Sequence, residues 1–102
     1  MQMTGPKQMK IVDCPDPTRS KGQVLVKQDL VTICGSDLHK YRGRPPHDTY
    51  PMSPGKPAHE CCGRIVEPDP ESEFSEGELV LIRPPQQDGL REKFALAPDS
   101  LY

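Results

Sequence analysis

A chain of 102 residues with 33% hydrophobic and 5% aromatic content and no Trp has room for one domain at most, built on a small aliphatic core. Thirteen basic and fifteen acidic residues give a net charge of −2, with the signs interspersed, so there is no electrostatic footprint for nucleic acid. No apolar run approaches the roughly 18 residues of a membrane span, and Met1 to Lys7 holds no apolar signal core, which sets a cytoplasmic, reducing compartment as the expectation.

Thirteen prolines and eight glycines interrupt helices and central strands, so short strands and many turns are expected. Met9 to Cys14 reads as a short strand closed by Pro15-Asp16-Pro17. Gln23 to Ile33 is the strongest strand, rich in β-branched residues, and its apolar set changes face near Gln28-Asp29, which predicts a bend or bulge. Ser36 to Tyr41 is predicted as a short helix with Ser36 as N-cap, Asp37 in the first turn and Gly43 as its stop. Arg44 to Pro57 carries five prolines and no periodicity, and it is expected to bring His59 back towards Cys34.

Glu60 to Val66 resumes strand character, with Gly63 as a bulge or point of close approach. After the acidic turn Pro68 to Gly77, Glu78 to Ile82 forms a short apolar strand ended by Pro84-Pro85. Arg91 to Ala97 suits a last strand or, equally by propensity, a short helix. Short strands with Gly/Pro turns argue for a small barrel or sandwich. Four cysteines raise the question of disulfides, but Cys61 and Cys62 are adjacent and no secretion signal is present, so free thiols are expected.

The reactive side chains concentrate in two segments, Cys34-Gly35-Ser36-Asp37-Leu38-His39 and Ala58-His59-Glu60-Cys61-Cys62. A catalytic zinc takes three protein ligands from Cys, His and Asp/Glu and keeps one position open. Cys34, His59 and Glu60 make such a set, and their wide separation excludes a compact zinc knuckle. Asp37 is placed to orient a ligand imidazole from outside the metal's own shell. Ser36 and His39 are placed to carry a proton away from an alcohol, since His titrates near neutral pH. Each residue also has a plainer reading. Cys34 suits a small buried hydrophobe, His59 a hydrogen-bonded core histidine, Glu60 a solvated charge, and His39 a surface residue of a short helix. Ser36 and Asp37 suit helix capping, and Cys61 and Cys62 suit packing.

Taken together, Cys34-Gly35-Ser36-Asp37-Leu38-His39, Pro57-Ala58-His59-Glu60-x-x-Gly63-x-Ile65-Val66 and Gly77-Glu78-Leu79-Val80 resemble the N-terminal GroES-like domain of zinc-dependent medium-chain dehydrogenases, of alcohol, polyol and threonine dehydrogenase type. Gly89 to Pro98 is similar to the family's last strand of this domain. The resemblance implies a mainly β fold, a partly open GroES-like barrel with one or two short helices, spanning residues 1–102 as one catalytic domain. It implies zinc held by Cys34 and His59, with Glu60 a direct ligand in the polyol branch, and Asp37 behind the ligand histidine. Ser36 would hydrogen-bond the substrate oxygen and His39 would relay its proton to solvent.

The implied reaction is hydride transfer from an alcohol or polyol to NAD or NADP. The sequence departs from the family in four ways. Ala58 stands where Gly is usual. The four-cysteine structural-zinc lobe is missing between Pro84 and Gly89. No Gly-x-Gly-x-x-Gly follows a strand. A further family ligand contributed from beyond this domain is absent too. The cofactor and a Rossmann domain or partner chain are therefore expected from outside this sequence, oligomers are compatible with it, and the chain alone is not expected to turn over. The alternative function is a non-enzymatic GroES-like barrel acting as a binding or scaffold module.

Overall fold

The structure, a computed structural model, describes residues 1–44 and 47–102. Pro45 and Pro46 of the expected Pro-rich loop lie outside the described residues. Among the described residues, six strands and one α-helix follow in the order β1 (Gln2–Gly5), β2 (Gln8–Lys10), β3 (Val24–Thr32), α1 (Gly35–Arg42), β4 (Glu60–Glu67), β5 (Leu79–Ile82) and β6 (Lys93–Leu96), with a 3₁₀ turn at Pro98–Ser100. β1 and β2 form a hairpin, and the other four make an antiparallel sheet in the order β5-β4-β3-β6. The fold is thus mainly β with one short α-helix, as expected, and its sheet is open.

The sheet is amphipathic with the period of two that a strand imposes. Val24 and Val26 of β3, Cys61 and Ile65 of β4, Val80 and Ile82 of β5 and Phe94 of β6 all face one side and are buried, joined by Leu101. Val26 lies opposite Ile65 on one side and Phe94 on the other, and Cys61 lies opposite Ile82, so the core is assembled from cross-strand rows. Phe94 also decides the ambiguous Arg91 to Ala97 segment. As β6, it places its one large apolar ring against Val26.

β3 pairs Gln28 with Gly63 and then Leu30 with Cys62, so Asp29 is the extra residue of a bulge, where the change of apolar face predicted one. The bulge resets the phase: Val31 now packs on the core, while Leu30 is exposed. Gly63 sits where the strands come closest. A Cβ there would fall on the Lys27 carbonyl oxygen and within 2.9 Å of the Gln28 Cα.

One expectation needs correction, and one element was not foreseen. The predicted strand Met9 to Cys14 is replaced by β2, which stops at Lys10 because its partner β1 is only four residues long, and Ile11 is left 83% exposed. β1 itself was not foreseen. Its Pro6-Lys7 turn puts Lys7 at φ 58, and α1 steadies it: Lys7 N–H donates to the Tyr41 carbonyl at 2.6 Å. β1 then orders the Pro-rich loop, because Met52 N–H donates to the Met3 carbonyl at 2.9 Å and Gly55 N–H to the Met1 carbonyl at 2.7 Å. All four cysteines are free thiols, and among the described residues no helix is long and apolar enough to cross a membrane.

The Gly63 contact makes a direct prediction. Gly63→Ala forces the two central strands apart and lowers stability by about 1–3 kcal/mol in urea denaturation, whereas Gly35→Ala, whose Cβ meets open space, changes it little. Equal midpoints for the two variants would show that the strand approach is not tight.

Candidate metal centre

Two arms converge on this site. The first is the β3–α1 junction. Cys34, not Ser36, is the N-cap of α1, with extended backbone (φ −100, ψ 176). Asp37, at the third helical position, makes the difference. Its Oδ2 accepts the Cys34 N–H at 2.9 Å, while the Cys34 carbonyl accepts the Asp37 and Leu38 N–H groups at 3.2 and 3.3 Å. This is the reach-back half of a capping box, and it fixes the backbone of the residue that carries the thiol. The helix ends at Gly43, whose φ of 76 a residue with a Cβ adopts only under strain.

The second arm is the segment that enters β4. Ala58 is fully buried, and its carbonyl accepts the Gly89 N–H at 2.7 Å. A Cβ on Gly89 would lie 2.6 Å from Cys61 Sγ and 2.7 Å from that carbonyl, so only glycine allows this approach. Gln28 holds the Gly89 side of the contact by donating from Nε2 to the Gly89 and Arg91 carbonyls, each at 2.9 Å. The residue before His59 is therefore clamped from both sides.

The arms bring Cys34, Asp37 and His59 together, with one potential ligand atom of each within 4.8 Å of the others. Cys34 Sγ lies 3.6 Å from His59 Nε2. With Zn–S near 2.3 Å and Zn–N near 2.0–2.1 Å, the S···N edge of a tetrahedral site is about 3.6 Å. The pair is therefore spaced to share one ion without moving. His59 Nδ1, on the other side of the ring, is buried without a hydrogen-bond partner and faces Asp37 Oδ1 at 3.6 Å. That is too long for a hydrogen bond. The Asp37 side chain, 4% exposed, is aimed at the ring nitrogen that a metal on Nε2 leaves free, which is the usual partner arrangement of a ligand histidine.

The remaining candidates are placed as follows. Ser36 Oγ lies 2.9 Å from Cys34 Sγ, at the exposed mouth of the site. His39 is exposed and stands three residues on, so Ser36 and His39 share one helix face. Glu60 is not in the cluster. Its Oε2 accepts a hydrogen bond from Thr32 Oγ1 at 2.7 Å, across the terminal β3–β4 pair. Thr32, which residue types alone did not single out, is thus the partner of Glu60; its signal was its register opposite Glu60, which only strand pairing reveals. Cys61 faces the core, and burial pushes its thiol up to about 11, so it is held as a neutral packing group. A cavity of about 440 Å³ opens beside His59, walled by Pro85, Gln87, Arg83 and Tyr102.

The fold and this donor set define a recognisable class. The profile of the alcohol dehydrogenase GroES-like domain matches residues 20–94, and the chain belongs to that family. It is 48% identical over 60 residues to the starvation-sensing protein RspB of Escherichia coli K12, covering 59% of this chain and 17% of that protein. It is 31% identical over 103 residues to the sorbitol dehydrogenase of Bacillus subtilis, covering 95% of this chain and 29% of that enzyme. Among solved structures, S. aureus TarJ in complex with NADPH superposes with a TM-score of 0.76 at 25% identity, over 98% of this chain and 31% of that one. The chain spans less than a third of the length of each.

Behind the helix, a second charged contact braces the first arm. Asp48, its side chain 2% exposed, accepts Lys40 Nζ at 2.6 Å and the Arg44 N–H at 2.8 Å. The Lys40 hydrogen bond holds the Asp48 carboxyl below its ordinary value of 3.8. A carboxyl lowered on folding stabilises the fold above its unfolded pKa, and that contribution is lost as pH falls through and below about 3.8. Asp48→Asn is therefore expected to flatten the acid limb of a stability-against-pH curve while leaving the slope above pH ~5 unchanged. An acid limb identical to that of the parent would show that the contact carries no linkage.

Proposed function

We propose that this chain is the zinc-binding catalytic domain of an oxidoreductase that oxidises an alcohol or polyol by hydride transfer to NAD or NADP, acting with a nucleotide-binding domain in the cytoplasm. The observation that carries this reading is the 3.6 Å spacing of Cys34 Sγ and His59 Nε2, which matches the edge of a zinc tetrahedron. Cys34 and His59 hold the ion, Asp37 orients the His59 ring through Nδ1, and Glu60 stands on the adjacent strand residue as a further ligand once it leaves Thr32. Bound there, zinc supplies Lewis-acid polarisation of the alcohol oxygen.

The protein's own share is proton handling and positioning. Ser36, exposed beside the thiol, accepts a hydrogen bond from the substrate hydroxyl and takes its proton. His39, on the same helix face and open to solvent, passes that proton outward through its imidazole. The relatives' NADPH complex and sorbitol activity support a nicotinamide cofactor and a polyol substrate for the whole protein.

Metal analysis of the purified chain tests the reading. One zinc per chain is expected, with binding abolished in Cys34→Ser and in His59→Ala and weakened about 10–100-fold in Asp37→Asn. Ser36→Ala and His39→Ala keep the zinc. Undiminished binding in both Cys34→Ser and His59→Ala would overturn the metal assignment.

A further inference from the structure

The hairpin of β1 and β2 stands apart from the four-stranded sheet. It forms a two-stranded sheet of its own, and the buried apolar cluster is built from β3 to β6 and Leu101 instead. Its bonds to the rest of the chain go to the two arms of the metal centre. At the tip, the Lys7 N–H donates to the Tyr41 carbonyl at 2.6 Å, and the Tyr41 hydroxyl donates back to the Lys7 carbonyl at 3.3 Å. Tyr41 lies in the last turn of α1, and Cys34 is the N-cap of the same helix. The tip therefore holds one end of a rod about 10 Å long whose other end carries the thiol. Pro6 leaves no slack there. A Cβ on Gly43, which follows the helix, would lie 2.9 Å from Pro6 Cγ and 3.0 Å from the Tyr50 hydroxyl.

The other end of the hairpin holds the second arm. Gln2 Nε2 donates to the Met52 carbonyl at 2.9 Å, the Met52 N–H to the Met3 carbonyl at 2.9 Å, and the Gly55 N–H to the Met1 carbonyl at 2.7 Å. The Met3 side chain, 1% exposed, seats β1 against the chain. From Gly55 the path to the ligand is short. The Gly55 carbonyl accepts the Leu90 N–H at 2.8 Å, and the neighbouring Gly89 N–H donates at 2.7 Å to the carbonyl of Ala58, the residue before His59.

The geometry points to the β1–β2 hairpin as a strap that sets the separation of Cys34 and His59, with Gln2 and Lys7 as positioning residues of the metal centre although neither is a ligand. Both arms are loop-borne, and ordering such segments has an entropic cost. The strap meets that cost during folding, so the metal finds its ligands already spaced; without the strap, the same cost falls on metal binding. This inference rests on the reading of Cys34 and His59 as zinc ligands, but the mechanical link it describes is independent of the ion.

The test uses one variant at each end of the strap. Lys7→Pro removes the N–H donor and fixes φ near about −65°, against 58 in the structure. Lys7→Gly keeps the donor and tolerates the positive φ. Gln2→Ala removes the donor to Met52. Zinc affinity is measured by chelator competition on the 102-residue chain. Lys7→Pro and Gln2→Ala are each expected to weaken it about 3–10-fold, the scale of one net hydrogen bond, while Lys7→Gly keeps the parental value. Amide hydrogen exchange on the metal-free chain supplies the second readout. Protection is expected to fall at the Cys34 amide, which donates to Asp37, in Lys7→Pro and at the Gly89 amide in Gln2→Ala, with the β3–β4 ladder unchanged. A hairpin that only added stability would lower protection across the sheet as well, and that result would overturn the proposal. Zinc affinity equal to the parent's in both variants would overturn it too. If the parent takes up no zinc, the metal reading fails separately, and exchange decides the strap: unchanged protection at both Cys34 and Gly89 removes it, and loss confined to them supports it.

Discussion

The carboxylate of Asp37 is the constraint on which the site depends. It is 3% exposed, and a carboxylate so placed has to be compensated by donors. One oxygen takes the Cys34 N–H, which sets the start of α1 and aims the thiol. The other faces the buried, unpartnered Nδ1 of His59, which arrives from a segment 22 residues further along the chain. A single side chain therefore ties the two arms, and the positive end of the helix dipole supports its charge. Without it, the thiol would lose its backbone anchor and the imidazole its orientation at once.

Around that link, the rest of the fold acts as a set of backbone clamps. The sheet supplies rigidity, but the arms are loops, and loops are fixed only where their N–H and C=O groups find partners. Met1 and Met3 order the Pro-rich loop, Gly89 clamps Ala58, and Gln28 holds the 89–91 turn from the bulge of β3.

How much of this was legible in the sequence follows from the range of each interaction. β3, β4 and β5 were readable because β-branched and apolar alternation is a local signal, and the bulge at Asp29 was readable because the alternation changes phase there. The encounter of Cys34 and His59 was readable from residue types and from resemblance. The helix cap was read two residues late. Ser36 has the better capping side chain, but Asp37 reaching back to Cys34 wins because it caps and is buried against His59 at the same time. β1 was missed because its only partner is a three-residue strand, too short to show a period. Thr32 beside Glu60 was invisible, because it arises from a contact between segments and not from any spacing along the chain.

The central claim is that Cys34 and His59, arranged through Asp37, present one sulfur and one nitrogen to a single zinc ion. X-ray absorption at the zinc edge of the metal-loaded chain tests it most directly. The account predicts one sulfur scatterer at about 2.3 Å with the rest of the shell nitrogen and oxygen near 2.0–2.1 Å. A shell with no sulfur, or one with two or more, would contradict it.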